Sequence, residues 1–146
     1  MKKKYTYYTC RELINRYHFV RLWRWNESKI GVFYQCLLLD GRKFGKNSKT
    51  IITEDSFEKL IDYVKSSSEI SDPYPDYYSY QEVIDEFPQT TLYRWSPTTI
   101  GFFYHSGLLQ GKKSVKEGKN LVSIQSVFRL IEFTNQRFHN IAHGKI

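Results

Sequence analysis

The chain of 146 residues has few cysteines, few prolines and a single methionine. Its two cysteines, Cys10 and Cys36, lack CxxC spacing, so the sequence indicates neither a disulfide framework nor a zinc site. No apolar run approaches the roughly 20 residues that a membrane-spanning helix needs. No apolar segment follows the basic start at Met1, and a signal peptide is therefore not expected. These absences favour a cytoplasmic protein without a membrane partner.

Residue patterns for catalysis are lacking as well. No nucleophile–base pair stands out, and the stretch from Gly41 to Gly45 lacks the lysine and hydroxyl order of a phosphate-binding loop. His139 and His143 could share a helix face, but no third metal ligand lies near them in the sequence, which favours a solvated tail. We therefore expect a protein that is not an enzyme and that holds neither a metal nor a cofactor.

Basic residues and tyrosines, in contrast, are plentiful. The 22 lysines and arginines outnumber the 15 acidic residues, for a net charge of +7, and 12 residues are tyrosine. A positive balance favours phosphate-bearing partners, because each lysine or arginine placed on a phosphate releases condensed counterions. A basic protein without such a partner would have the same composition, so charge alone leaves both interpretations open.

The sequence contains two copies of one motif at a constant offset of 70 residues, without a gap. The identical pairs include Tyr7/Tyr77, Tyr8/Tyr78, Arg24/Arg94, Trp25/Trp95, Ile30/Ile100, Gly31/Gly101, Phe33/Phe103, Tyr34/Tyr104, Leu38/Leu108, Leu39/Leu109, Gly41/Gly111, Ser56/Ser126, Leu60/Leu130 and Ile61/Ile131. Such a fixed period indicates a tandem duplication. Serines and prolines between the copies mark a linker. We assign residues 1–68 to a first unit, 69–76 to the linker, 77–136 to a second unit and 137–146 to a basic C-terminal tail.

Each copy is predicted to open with a helix. Thr9-x-x-Glu12 and Ser79-x-x-Glu82 are capping boxes, in which a hydroxyl and a carboxylate satisfy backbone N–H groups reciprocally. The apolar residues with helical spacing are Leu13, Ile14 and Tyr17, then Val83, Ile84 and Phe87, with Pro88 ending the second copy's helix. Residues 20–25 and 90–95 follow; their alternating aromatic and β-branched residues favour a short strand and leave a short helix open.

A second helix is predicted to begin at Asn26 and at Ser96, which proline follows. Gly31 and Gly101 lie in its middle, which favours close packing against another element over contact with a ligand. Gly107 is expected to cap the second copy's helix, whereas Leu37 in the first copy implies a different closure. A β-hairpin with a polar turn and a closing helix complete each copy. The apolar stripes of the closing helices are Phe57, Leu60, Ile61 and Val64, and Val127, Phe128, Leu130 and Ile131.

The stretch Ser-Pro-Thr-Thr-Ile-Gly-Phe-Phe-Tyr-His-Ser-Gly-Leu-Leu, which starts at Ser96, resembles the recognition helix and following strand of MerR-like and excisionase-like DNA-binding domains. Residues 78–83 are similar to the first helix of those families, and residues 121–123 to their second wing strand. The segment between the helices is longer than in the families, and the second helix is poorer in basic residues. The resemblance implies an α+β fold of two tandem winged helix-turn-helix-like units, each with a β-hairpin wing. In this fold a helix enters the major groove and the wing contacts the backbone or minor groove.

The predicted nucleic-acid-binding residues lie on the second helix, on the segment before it and on the wing of each copy. Matching basic residues on the wings suit phosphate contact, although lysines also protect exposed hairpin edges from aggregation. Hydroxyl and amide groups on the second helix can meet phosphates or base edges. The set is Arg24, Ser28, Lys29, Gln35, Arg42, Lys43, Lys46, Lys49, Arg94, Thr98, Thr99, His105, Lys112, Lys113, Lys116 and Lys119.

These observations predict a non-enzymatic, nucleoid-associated protein that binds double-stranded DNA, as a transcriptional regulator or as an excisionase-like architectural factor of a mobile element. Residues 1–70 hold 14 basic and 8 acidic residues, whereas residues 71–146 hold 8 and 7. The first unit is therefore expected to be the main binder, and the second to bind weakly or to contact a protein or another copy of the chain. Two alternatives stay open: an RNA- or ribosome-associated protein, and a protein-interaction adaptor built from degenerate winged helices.

Overall fold

The computed structural model describes residues 5–43, 49–73 and 75–142, the last five of them by their backbone alone. The chain divides into two compact units, Met1–Tyr63 and Val64–Ile146. Each unit combines helices with a small three-stranded antiparallel sheet, which confirms the α+β class. The helices and strands follow one another in the same order in the two halves of the sequence.

The elements of the first half are β1 (Tyr7–Thr9), α1 (Cys10–Arg16), a 3-10 helix (His18–Trp23), α2 (Glu27–Gln35), β2 (Gly41–Lys43), β3 (Thr50–Thr53) and α3 (Glu54–Ser68). Those of the second half are β4 (Tyr77–Tyr78), α4 (Tyr80–Glu86), α5 (Gln89–Leu92), α6 (Pro97–His105), β5 (Gly111–Ser114), β6 (Lys119–Ser123) and α7 (Ile124–Ala142). Helix α7 continues through residues 137–142 of the segment assigned to the tail.

The predicted hairpins are present, and each gains a third strand that was not predicted. Strand β3 lies between β1 and β2, and β6 lies between β4 and β5. The hairpins begin at Gly41 and Gly111. At both glycines a Cβ would overlap a carbonyl oxygen of the neighbouring strand, that of Ile51 or Leu121. The close approach of the two backbones therefore requires glycine.

The predicted helix starts are confirmed. Thr9 and Ser79 form complete capping boxes with Glu12 and Glu82. Because each hydroxyl accepts a backbone N–H and each carboxylate accepts another, two otherwise unpaired donors are satisfied at the first turn. The side chains of Asn26 and Ser96 likewise cap α2 and α6, with Pro97 in the first turn of α6.

The preferred strand at residues 20–25 and 90–95 is wrong, and the helical alternative is correct. The first segment lies mostly in the 3-10 helix, and the second begins within α5. Alternation of apolar residues alone does not make a strand, because a strand needs a ladder partner and neither segment has one. Instead the backbone turns back on itself, with Trp25 N–H donating to Val20 O at 3.2 Å and Trp95 N–H to Thr90 O at 3.0 Å.

The expectation that α2 closes differently from α6 is also wrong. Gly107 has φ +82°, and Leu108 N–H donates to Phe103 O across the helix end. Leu37 adopts the same left-handed conformation, with φ 66°, and Leu38 N–H donates to Phe33 O at 2.9 Å. Both ends are therefore Schellman-type caps, and the first unit holds a leucine where glycine avoids the strain.

The glycines within the second helices differ from each other in their surroundings. A Cβ on Gly101 would lie 3.2 Å from Cε2 of Tyr80, so close packing is confirmed there. At Gly31 a Cβ would have no atom of the described chain within 4 Å beyond its own helix and neighbours, so the expected packing is absent. The residue that corresponds to Tyr80 in the first copy is the smaller Cys10, and no atom of its side chain comes within 4 Å of the added Cβ.

The predicted apolar stripes form the cores, with one correction. Phe57, Leu60, Ile61, Val64, Val127, Leu130 and Ile131 are all buried. Phe128, however, is 55% exposed, and its ring meets that of Phe87 edge-on at 5.1 Å. Helical spacing from Val127 leads to 130, 131 and 134, and the buried residue at the last position is Thr134, whose hydroxyl donates to Leu130 O.

Candidate nucleic-acid interface

The β-hairpins of the two units, β2–β3 and β5–β6, present basic side chains to solvent, and we keep the name wings for these two hairpins. Arg42 and Lys43 on β2, and Lys112 and Lys113 on β5, are all exposed. Successive residues of a strand point to opposite faces of the sheet. Arg42 pairs with Ile51 and Lys112 with Leu121, so these two cations share a face with half-buried apolar residues. Each wing thus has a cation on either side of its first strand.

The same cation–aromatic contact is built twice on this face. The Cζ atom of Arg42 lies 5.1 Å from the centre of the Tyr7 ring, and Nζ of Lys112 lies 4.3 Å from that of Tyr77. Both rings are half-buried and both cations are exposed, and at exposed sites such a contact contributes about 0.5–1 kcal/mol. The unpredicted strands β1 and β4 therefore position the wing cations. In the sequence, the only sign of this contact is that the tyrosine pair at residues 7–8 recurs at residues 77–78.

A further lysine stands at or just before the start of the second strand of each wing, near the first helix. The pKa of Glu12 and of Glu82 is lowered chiefly by the hydrogen bonds that each carboxylate makes with its cap residue, and to a smaller extent by the positive charge of the exposed Lys49 or Lys119. Because β3 contacts α1 and β6 contacts α4, wing and first helix share one surface.

The remaining wing lysines are less uniform. Lys116 is exposed in the turn of the second hairpin. Lys119 Nζ lies 3.8 Å from a carboxylate oxygen of Glu117, an exposed pair of little energetic weight. Lys46, another predicted contact, lies outside the described residues.

The predicted residues of α2 and α6 divide into exposed groups and groups with structural roles. Ser28, Gln35, Thr98 and His105 are exposed. Lys29 Nζ instead donates to Arg24 O at 2.6 Å, and burial lowers the pKa of this amine. At the corresponding position of α6, the Thr99 hydroxyl accepts the Ser96 N–H at 2.8 Å and completes a cap.

Arg24 and Arg94 occupy the same unusual conformation. Both are exposed and have left-handed backbones, with φ 63° and 62°. The residue that follows each is a buried tryptophan; Trp25 packs 5.2 Å from Phe33, and Trp95 packs 5.2 Å from Phe103 between ring centres. The arginines are thus held at the surface by a backbone that is fixed in the core.

Sequence reasoning missed the leucines two positions before these arginines. Leu22 is 85% exposed and Leu92 is 65% exposed. In the sequence each leucine fits the apolar position of an alternating strand. A buried side chain was therefore expected. A sequence signal for these leucines was available. Both copies have leucine at this position, although the residue before it differs, Arg21 in one copy and Thr91 in the other.

The first unit has a cleft with two arginines beside its second helix. The cleft encloses about 340 Å³, and its lining is Arg11, Ile14, Asn15, Arg21, Trp25, Asn26 and Glu27. Arg11 Nε lies 3.9 Å from Glu27 Oε2, and both side chains are mostly exposed. The positions of the two arginines are taken by Gln81 and Thr91 in the second unit. Part of the charge difference between the copies therefore lies on this surface.

Two other kinds of site were sought in the part of the chain that the structure describes. It contains no group of three or more histidine, cysteine or acidic side chains that could hold a metal ion. None of its helices is long and apolar enough to cross a membrane. No family model, no curated protein and no solved structure matches the chain significantly.

Proposed function

We propose that the chain is a non-enzymatic protein that binds double-stranded DNA through two winged-helix units, as a transcriptional regulator or an excisionase-like architectural factor. The observation that carries this proposal is the wing cation over a tyrosine in both units, Arg42 over Tyr7 and Lys112 over Tyr77. It supplies positive charge at a defined position on a hairpin, beside a capped helix with exposed hydroxyl and amide groups. That combination suits a duplex better than any other partner.

Protection of the hairpin edge does not explain this arrangement. A lysine that guards an edge works equally well from a mobile side chain. Placing the side chain of Arg42 or Lys112 over a ring instead favours a subset of its rotamers, which costs conformational entropy. A cation with a preferred position is useful where it meets a partner of fixed geometry, and the evenly spaced phosphates of a duplex are such a partner.

The exposed side chains of the second helices favour DNA over RNA. Ser28, Gln35, Thr98 and His105 carry hydroxyl, amide and imidazole groups that can bond to base edges. The major groove of B-form DNA admits a helix, whereas the deep, narrow major groove of A-form RNA does not. A helix beside a basic wing therefore matches duplex DNA.

The units are proposed to contribute unequally. The first unit adds Arg11 and Arg21 to its wing cations, whereas the second has uncharged residues there. Each additional phosphate contact releases counterions and strengthens binding. The first unit therefore provides most of the affinity, and the second adds to it because both are on one chain.

The test is a fluorescence anisotropy titration of the full chain with duplex DNA, duplex RNA and single strands of the same sequence, each across a salt series. The proposal expects tightest binding to duplex DNA and a steep fall of affinity with salt. Preference for RNA would make the chain an RNA-associated protein. Weak, salt-independent signals with every nucleic acid would instead identify the units as protein-binding adaptors, and the proposal would be wrong.

A further inference from the structure

A comparison of the two copies distinguishes the exposed positions at which the residue has changed from those at which it is the same. Within the described part of the chain, the exposed positions with the same residue in both copies are Glu12/Glu82, Leu22/Leu92, Arg24/Arg94, Lys43/Lys113 and Lys49/Lys119. The glutamates are explained by their capping boxes, and the lysines belong to the wings. One feature is left, a leucine followed two positions later by an arginine, which we name the leucine–arginine tip: residues 22–24 and 92–94.

Stability does not explain the tips. Leu22 and Leu92, at 85% and 65% exposed, gain little from folding. The arginines have left-handed backbones, a conformation in which a side chain adds strain. At the comparable turn after the second helix the copies differ, with Leu37 in one and Gly107 in the other. Glycine is therefore accessible to this duplicated fold at such turns, yet both tips hold arginine.

The tips are rigidly supported. Val20 and Thr90, two residues before the leucines, are fully buried, and the tryptophans after the arginines are buried as well. In the first unit Lys29 Nζ also donates to Arg24 O at 2.6 Å. An apolar side chain is thus projected into solvent from a turn that the core fixes on both sides. Such preorganisation lowers the cost of binding a partner.

The charge of the tips indicates which partner they fit. No acidic residue occurs in residues 18–25 or 88–95, and an arginine stands beside each exposed leucine. A base step in a duplex offers an apolar stacking surface bordered by phosphates, so it complements both side chains. Leucine is among the residues that proteins insert between base pairs from the minor groove, and arginine is attracted to a narrow minor groove.

We infer that Leu22 and Leu92 are wedges that enter a base step of duplex DNA, while Arg24 and Arg94 bind in the adjacent minor groove. This inference rests on the proposed function and adds to it a deformation of the DNA. Contact by the wings needs only phosphates, whereas wedge insertion unstacks bases and bends the duplex. Flexible pyrimidine–purine steps such as TA are the preferred targets because they unstack most readily.

The experiment measures unstacking and binding separately on the full chain. The probe is a duplex of about two helical turns of alternating thymine and adenine, with 2-aminopurine in place of several adenines, so that insertion in any register is detected. Anisotropy of an end label gives affinity, and 2-aminopurine fluorescence at saturating protein gives unstacking. The variants are Leu22→Ala/Leu92→Ala and, as a control, Ile70→Ala, which removes an exposed apolar side chain that lies outside both the tips and the wings.

Saturating wild-type protein is expected to raise 2-aminopurine fluorescence at least about twofold, since a wedge unstacks its step. The Ile70→Ala variant should match it, and the double leucine variant should bind without the increase. An unchanged increase in the double variant, or binding by the wild type without any increase, would overturn the wedge and leave the proposed function standing. If the wild type binds no duplex at low salt, the proposed function itself fails and the wedge with it.

Discussion

The ring of Tyr80 packs against the bare backbone of Gly101, where a Cβ would lie only 3.2 Å from Cε2 of that ring. The corresponding pair in the first unit is Cys10 and Gly31, and there a Cβ would meet no described atom within 4 Å beyond its own helix and neighbours. The same glycine therefore has a packing role in one unit and none in the other. Two copies of one fold thus provide matched sites for testing which contacts matter.

Replacing Gly31 by alanine is expected to stabilise the protein. Glycine within a helix is about 0.8–1 kcal/mol less favourable than alanine, and at this site the added methyl has room. Gly101→Ala should gain less or destabilise, because the ring of Tyr80 has to move. Denaturant unfolding of both variants measures the difference. Equal effects at the two positions would show that Tyr80 does not restrict Gly101.

Gly107→Ala is expected to destabilise the protein by about 1 kcal/mol, because its left-handed backbone, with φ +82°, disfavours any Cβ. The nearest side-chain atom to the added methyl, Cγ1 of Val64, is at an ordinary 3.6 Å, so the effect would come from the backbone and not from a clash. Gly31→Ala serves as the control, since the same chemical change there should have the opposite sign. A neutral result at Gly107 would contradict the backbone argument.

Arg24→Gly/Arg94→Gly is expected to move stability and binding in opposite directions. Glycine relieves the left-handed strain, worth about 1–2 kcal/mol at each site before the greater entropy of the unfolded chain offsets part of it. Affinity for duplex DNA should fall, because two cations are removed. Unfolding curves and anisotropy titrations on the same preparations test the pair of effects. A variant that is both less stable and unaltered in binding would show that the arginines are structural.

The capping boxes predict part of the acid sensitivity of folding. The pKa of Glu12 and of Glu82 is lowered, first by the backbone N–H of Thr9 or Ser79 and then by its hydroxyl. A lowered pKa means that the contribution of each carboxylate is present above its unfolded pKa of about 4.3 and is lost as pH falls through the folded value. Glu12→Gln/Glu82→Gln retains residues able to complete a capping box, so its stability should decline less between about pH 5 and pH 3. Parallel acid limbs for variant and wild type would contradict this assignment.

The features that were predictable from the sequence are those with local causes. A capping box is complete within four residues, so Thr9 and Ser79 located the first helices correctly. Helical spacing identified the buried stripe of α3 for the same reason. The basic wings were visible because their charges recur at the same offset, although the residue that fixes Arg42 was not.

The features that were missed depend on contacts between distant segments. Tyr7 joins a sheet by pairing with Thr53. A strand of three residues carries no sequence pattern that identifies a partner so far along the chain. Residues 20–25 alternate like a strand, yet their backbone closes on itself through Trp25 N–H and Val20 O. The exposure of Leu22 follows from that closure. Because residues 20–25 were predicted to form a strand, the exposed leucine could not be recognised from the sequence.

The most direct test of the account is the salt dependence of duplex DNA binding by Arg42→Gln/Lys112→Gln. This variant removes the two wing cations that lie over tyrosines, and Lys59→Gln/Lys65→Gln removes two exposed lysines of α3 as the matched control. If the wings bind phosphates, the slope of log affinity against log salt should become shallower by about 2 in the wing variant, since each cation removed leaves one phosphate unneutralised, and stay unchanged in the control. Identical slopes in wild type and wing variant would contradict phosphate contact by the wings, and with it the central claim.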